Sequence, residues 1–423
     1  MDPLENMHTI ERAVYTMISL CVDFSAKESI EISHGEFDFY LPQGVKKLGW
    51  PQETYIEVKY RMAYDTITRL RQSYDRIKPK KLVVVVMGDV NYKSYRMLSD
   101  VLPVGRDIDV MSYNNLREKI EAIPKEKNPK NKNAYEECDI KYQRDKEVSV
   151  LEKAKDALKN NKVSVFLGAG VSASAGIVTW DSLLEKLCIK RGLSKIDSDI
   201  DSVVKGRYII DEYKQSQKEI PYEFYKDIRE ILYANIKNSN LISSIASLVT
   251  QGNIESIISY NYDNLVEREI RNKGKLCFPV FNKARSKEQN SLYIYHVHGY
   301  VSHEEDDEYS PIVLGEQEYH KIFQESYNWG NVEQLHALCR STCFFIGLSM
   351  DDPNLRRLID ISIEGSEVEL VHYAFLRRIE YDVPFMEKIM RGFGINCVWY
   401  DNYEELPTII NEMMNAATAS NVN

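Results

Sequence analysis

The chain has 423 residues, 43% of them hydrophobic and 28% charged, and a formal net charge of −10. At roughly 100–200 residues per domain this predicts two or three domains. No apolar run approaches the roughly 18 residues of a membrane helix, and the acidic, amphipathic start does not fit a secretory signal, so a soluble, cytoplasmic protein without a membrane partner is expected. The acidity excludes a protein that binds nucleic acid by bulk electrostatics, although residues 1–123, with 17 Lys+Arg against 18 Asp+Glu, are nearly neutral. Seven cysteines without one Cys-x-x-Cys pair predict reduced core thiols and no structural zinc.

In chain order, a helix is expected over 6–21 and short strands near 29–33, 36–41 and 54–60. A helix over 62–77 follows, then a buried strand Lys80–Gly88, and a last strand and helix in "DIDVMSY" and "NNLREKIEAI". Asp38 lies mid-strand, with Phe37 and Phe39 in the opposite phase. Glu57 and Lys59 stand two apart on a strand, and a period of two puts both on one face. Two carboxylates of this kind are candidate Mg²⁺ ligands, and a lysine beside them activates water or steadies phosphoryl charge. The same pattern also fits a plain charged strand face. Arg69, Arg71, Arg76, Lys78, Lys80 and Lys81 form a basic cluster that tracks a phosphate backbone or simply solvates a helix.

The element order over about residues 6–90, together with Asp38 and Glu57-x-Lys59, is similar to the core of the restriction-endonuclease-like, PD-(D/E)xK, family. That resemblance implies a nuclease site with Asp38, Glu57 and Lys59 as catalytic residues and Asp38 and Glu57 as the metal ligands. It also admits a member that has lost cleavage and only scaffolds. The next stretch, 124–147, is rich in Lys, Asn and Glu with two prolines and almost no aliphatics, and reads as a linker. The expected organisation is therefore a domain over 1–123, a linker over 124–147 and a second domain over 148–423.

The second domain alternates strands with helices. A helix from Val148 leads to a strand Val163–Leu167, and "SIISY", "YIYHV", "CFFIGL", "LVHYAFL" and "INCVWY" supply further strands. Such alternation predicts an α/β fold with a doubly wound parallel sheet. The first strand ends in Gly168-Ala169-Gly170 and turns at once into a helix, with Ser172, Gly176 and Ile177 following. A strand–glycine–helix junction offers backbone N–H groups to a phosphate, and it also serves as a tight turn with no ligand. Asn261, Asp263 and Asn264 stand past the end of the next strand, His298 stands at the end of another where alternation with Val297 puts it on one side with His296, and Gly347, Ser349 and Asp352 stand past a fourth. Each group has an ordinary explanation as turn, cap or core residue, but four such strand ends meet where open α/β sheets bind ligands.

"GAGVSASAGIVTW", "NYDNL", "HG" and "GLSMDDPNLRRL", in this order, resemble the sirtuin-like NAD-binding domain, closest to its branch in bacterial antiphage defence proteins. The likeness runs from about Val148 to Met414, with Val178 where the family usually has Pro. It implies a Rossmann-like sheet and NAD⁺ as substrate. Gly168, Ala169, Gly170, Ser172, Gly176 and Ile177 would lie around the dinucleotide, Asp263 on the nicotinamide-ribose side, and Gly347, Ser349 and Asp352 at the adenosine end. Asn261 and His298 would be catalytic, as water-orienting amide and base. Deacetylases of this superfamily carry a zinc ribbon of two Cys-x-x-Cys pairs, which this chain lacks, so the resemblance favours hydrolysis of NAD⁺ to nicotinamide and ADP-ribose.

The function expected is a triggered antiphage effector that depletes NAD⁺, with an N-terminal domain that senses or cleaves DNA or RNA. An unregulated NAD⁺ hydrolase would kill its host, so a trigger is expected through a homo-oligomer or a defence partner such as an ATPase. The alternatives are a Mg²⁺-dependent nuclease regulated by NAD or an NAD-derived ligand on a non-hydrolysing sirtuin-like domain, and a purely structural subunit.

Overall fold

Strands and helices divide between two compact units, Met1–Lys153 and Ala154–Asn423, in a computed structural model of the chain. It describes residues 3–23, 27–33, 37–59, 62, 64–87, 92–100, 102, 104, 107–123, 133–194, 197, 199–215, 220–282, 291–304, 310–325, 327–364 and 370–418.

The first unit opens with the helix Pro3–Ser19 and holds a five-stranded sheet of β1 (Glu31–Ile32), β2 (Phe39–Leu41), β3 (Thr54–Lys59), β4 (Lys81–Val86) and β5 (Ile108–Ser112), in that spatial order. The first three strands run antiparallel and β3, β4 and β5 run parallel. Parallel neighbours need a crossover, and the helices Tyr64–Ile77 and Tyr92–Ser99 supply the two; the second was not anticipated from the sequence. Alternation along the strands sorts the core. Phe39, Ile56, Val58, Val83 and Val85 pack with Val14, Tyr15 and Ile18 of the first helix, while Leu82, Val84, Val86 and Ile108 pack with Ile67 and Leu70.

Residues 124–132 of the expected linker lie outside the described residues. Residues 133–147 are helical: they form the first half of the helix Asn133–Asn160, and the division between units falls inside it. Glu, Lys, Arg, Gln and Ala are strong helix formers however hydrophilic the stretch. Tyr142 anchors it, buried against Tyr15 and Phe39, and Tyr15 donates a hydrogen bond to Asp145 at 3.0 Å.

The second unit holds β6 (Val163–Leu167), β7 (Ile254–Ser259), β8 (Cys277–Val280), β9 (Leu292–His296), β10 (Thr342–Ile346), β11 (His372–Arg377) and β12 (Ile395–Tyr400). Their spatial order is β12-β11-β10-β6-β7-β9-β8 and every pairing is parallel. This is a doubly wound, Rossmann-type α/β sheet. Helices on both faces explain why β6 and β10 are buried at every position and read as continuous apolar runs. From β6 the chain winds to one side through β7, β8 and β9, then returns to the other through β10, β11 and β12. The order reverses between β6 and β10, and the carboxyl ends of those strands form the crevice that such a reversal opens. The described cysteines form no disulfide, and Cys21, Cys188, Cys277, Cys343 and Cys397 are buried. No helix among the described residues is long and apolar enough to cross a membrane.

Candidate functional site

A cavity of about 370 Å³ opens at the carboxyl edge of the larger sheet. Ala169, Gly170, Ser172 and Ile177 line it from the junction after β6, Asn261 and Asp263 from the loop after β7, His298 from the turn after β9, and Gly347 and Ser349 from the loop after β10. The four separate strand ends therefore meet in one place. Gly168, Gly176 and Asp352 are not among the lining residues.

The glycines of the first loop answer first to a neighbouring loop. A Cβ on Gly168 would stand 2.4 Å from the Gly347 carbonyl oxygen, and one on Gly347 would stand 2.7 Å from the Val171 nitrogen. The Gly168 N–H donates to the Ile346 carbonyl and the Gly170 N–H to the Gly347 carbonyl, each at 3.0 Å. The two strand-end loops on either side of the switch point thus interlock, and the Gly170 amide is spent on that contact. Gly176 has φ +89° and backs onto the Asn235 carbonyl, where a Cβ would stand at 2.3 Å.

Asn261 is held from three sides. Its Nδ2 donates to the Gly168 carbonyl at 2.9 Å, its backbone N–H donates to Ser259 Oγ at 3.2 Å, and its carbonyl faces His296 Nδ1 at 2.8 Å. With Nδ2 engaged, the amide presents Oδ1 as an acceptor. Asp263 is buried; it accepts from Ser172 Oγ and, at 3.1 Å, from the Leu265 N–H. Burial pushes its carboxyl up, and those two donors pull it back only in part. Asn264 is structural: it accepts from Tyr233, and its Nδ2 donates to Ser302 and Glu304.

The two histidines of "HVH" take different places. The strand ends at His296, so the alternation does not carry on to His298. His296 is sealed beneath the loop against Glu267, while His298 lines the cavity. The His298 ring meets Tyr260 and Tyr319 edge-on, at 4.6 and 5.6 Å between centroids. Burial pulls its basicity down, partly opposed by Asp352, so the imidazole is neutral near pH 7. Asp352 accepts from the Leu355 N–H at 2.7 Å, capping the helix Pro353–Glu364, and its other oxygen lies 3.7 Å from His298 Nε2. The tyrosine hydroxyl of Tyr319 donates to that same oxygen at 3.5 Å.

Sequence reasoning missed most of the cavity's walls. Trp180, Tyr260, Tyr262 and Tyr319 line one part, and Arg377, Glu380, Tyr381, Tyr400 and Tyr403 another. Tyr381 donates to the Ser349 carbonyl at 3.2 Å, and Arg377 stacks on Tyr403 at 4.3 Å. The available signal was the aromatic density just past β11 and β12, which passes for core at the ends of buried strands.

In the first unit, Asp38, Glu57 and Lys59 do come together. Asp38 Oδ2 accepts from the Val58 N–H at 2.7 Å, Glu57 Oε2 accepts from the Asp38 N–H at 3.1 Å, and Lys59 pairs with Glu57. Burial first, then the charges of Glu57 and Glu11, raise the Asp38 carboxyl well above the usual range. Glu11, on the first helix, was not singled out from the sequence. The Asp38 and Glu57 carboxyl groups also hydrogen-bond each other, so backbone amides, the lysine and the neighbouring acid all engage them. No three His, Cys, Asp or Glu side chains converge as a metal site among the described residues. Of the basic cluster, Arg71 pairs with Asp75, Lys80 with Glu53 and Lys81 with Asp109.

Residues 255–397 match the SIR2-like domain family. The chain is 25% identical over 287 residues to "NAD(+) hydrolase ThsA" of Acinetobacter baumannii (strain 532279), covering 63% of this chain and 55% of that protein. It is 26% identical over 291 residues to the protein of that name from Enterococcus faecium, covering 63% and 58%. It is also 25% identical over 220 residues to "Defense-associated sirtuin 2" of Bacillus subtilis, covering 50% and 20%. The chain thus spans about half the length of the first two of these relatives. Among solved structures it is similar to a Sir2 homolog–NAD complex at 15% identity and TM-score 0.35, covering 63% of this chain and 94% of that one.

Proposed function

We propose that the second unit hydrolyses NAD⁺ to nicotinamide and ADP-ribose, as the effector of an antiphage defence protein. The observation that carries this is the meeting, in one cavity, of an asparagine whose amide oxygen is presented as an acceptor and a buried, neutral histidine. The relatives named NAD(+) hydrolase and defence-associated sirtuin, and the SIR2-like match, support the choice of substrate.

The bond between ribose C1′ and the pyridinium nitrogen breaks with its electron pair leaving on nicotinamide, which becomes neutral. The sugar passes through an oxocarbenium-like state. Asn261 Oδ1 orients a water toward C1′, water oxygen bonds to that carbon, and His298 takes the proton. Asp352 is a positioning residue for His298 as much as a contact for the dinucleotide. Ala169, Gly170, Ser172 and Ile177 surround the pyrophosphate and nearer ribose, with Gly168 and Gly176 shaping that loop. Asp263 holds the nicotinamide-ribose side, and Gly347 and Ser349 the adenosine end.

Turnover in the resting protein is low and rises with a trigger acting through homo-oligomer formation or a defence partner, because continuous NAD⁺ loss would kill the host. Purified protein should release nicotinamide and ADP-ribose, and phage-infected cells expressing it should lose NAD⁺. Asn261→Ala and His298→Ala should each lower cleavage by about 100-fold or more, the usual worth of a positioned acid or base. Cleavage by both variants at the wild-type rate would overturn the assignment.

The buried Asp38–Glu57–Lys59 cluster on a mixed sheet favours a second role, in which the first unit senses or cleaves nucleic acid as a PD-(D/E)xK-like domain. In the alternative arrangement, that unit is the effector and the NAD-binding unit its regulator.

A further inference from the structure

His296 lies outside the cavity, yet it is among the most enclosed polar groups of the second unit: it and Glu267 are each 1% exposed. Its Nδ1 is 2.8 Å from the Asn261 carbonyl oxygen, and its Nε2 meets the Glu267 carboxylate. Both partners are acceptors. A carbonyl never donates, so Nδ1 carries hydrogen, and opposite a carboxylate Nε2 carries one as well. A lone buried charge of either sign would be costly, whereas the pair is neutral and each member satisfies the other.

We infer that His296 is a positioning residue, kept as an imidazolium by Glu267, that fixes the backbone of Asn261 and thereby aims its amide oxygen. The inference rests on the proposed role of Asn261. The geometry suits the task. Ser259, at the end of β7, stands in register with His296, at the end of β9. The Asn261 carbonyl is two residues beyond that pairing, and Glu267 projects from the next helix, Leu265–Asn272. The imidazole therefore ties strand end, loop and helix together at the residue that must not rotate. Tyr300 closes the other side, edge-on at 4.8 Å. Burial alone would strip the second proton from the ring, and the charges of Glu267 and Asp263, with the hydrogen bonds to Glu267 and the Asn261 carbonyl, outweigh it. His298 shows the contrast: burial prevails there, and the ring is neutral.

The test uses the full chain labelled with ¹⁵N-histidine, the His296 signals being assigned by their loss in His296→Gln. At pH 8 the His296 ring should show hydrogen on both nitrogens while His298 shows one. In Glu267→Gln, which keeps shape and fold, His296 should fall back to a neutral ring that retains Nδ1–H. In turnover, His296→Gln should lose about tenfold or more in kcat with KM changed less than twofold, since misaiming a reacting group by an ångström costs that order. Glu267→Gln should lose less, because Nδ1 still donates. A wild-type His296 lacking hydrogen on Nδ1, or wild-type kcat in His296→Gln while Asn261→Ala is dead, would overturn the inference. Wild-type turnover in Asn261→Ala would instead sink the catalytic assignment itself, and the spectrum would still report the state of the ring.

Discussion

Burial drives Asp38 and His298 alike toward neutrality, one by keeping a proton and the other by losing it. For Asp38 the sign gives a stability prediction. Its folded carboxyl holds a proton to higher pH than the unfolded one, so its contribution is full below the ordinary carboxylate range. That contribution is lost as pH rises through the native value. Asp38→Asn keeps the acceptor for the Val58 N–H and removes the charge that Glu57 and Glu11 oppose. Thermal unfolding at pH 7.5 should therefore show a more stable first unit, and the gain should vanish near pH 4. If that cluster also cuts nucleic acid, the same variant should lose Mg²⁺-dependent plasmid nicking while gaining stability. A variant that melts earlier at pH 7.5 would show the ionised carboxylate to be stabilising after all. The chemistry-bearing residue types were legible because Asn, Asp and His stand out just past apolar strands. Their individual duties were not. "HVH" looks like two equal histidines, and only the end of β9 at the first of them separates a buried clamp from a cavity wall. Asp352 likewise looked like a ligand contact and sits beside His298, because the helix cap that fixes one oxygen turns the other toward the imidazole.

At the scale of elements, the interlocked loops after β6 and β10 hold the cavity's floor. Gly347 has φ +69°, and an added Cβ would sit 2.7 Å from the Val171 nitrogen and 3.0 Å from Val171 Cγ2. Gly192 has nearly the same φ, +70°, and open space around it. Alanine at either position bears the left-handed backbone strain, but only Gly347→Ala also forces the loops apart. Chemical denaturation should show Gly192→Ala losing about 1 kcal/mol and Gly347→Ala about 1–3 kcal/mol more, with weaker NAD⁺ binding in the second variant alone. Equal losses would mean the two loops yield freely. Apolar runs in the expected places made β6, β7, β9, β10, β11 and β12 readable, since strands buried on both faces advertise themselves. The strand β8 was missed because Pro279 interrupts "CFPV", and a proline is tolerated only where an edge leaves its nitrogen without a partner to serve. The helix over 133–147 was not anticipated for the opposite reason: its charge suggested a solvated linker, while its helix formers and the anchor Tyr142 favour a helix.

For the whole molecule, the division into two units makes the location of NAD⁺ a measurable quantity. A ligand that binds only the folded form adds RT ln(1 + [L]/Kd), about 2.7 kcal/mol at 100 times Kd. That energy belongs to the unit that must be folded for the cavity to exist. The loops after β6, β7, β9 and β10 all contribute to the cavity, so no part of the sheet from β10 through β6 and β7 to β9 can open without dispersing it. In His298→Ala, which should bind without turning over, saturating NAD⁺ should slow amide hydrogen exchange across β6, β7, β9 and β10 and in their loops. The edge strand β8 should gain less, because it contributes no lining residue. Strands β1 to β5 should exchange at their unliganded rates, since none of their residues lines that cavity. Protection concentrated in β1 to β5 would move the dinucleotide to the other unit and leave the Asn261–His298 crevice without a substrate. Protection confined to the β6 loop would reduce the site to a phosphate turn and remove the asparagine and histidine from the chemistry.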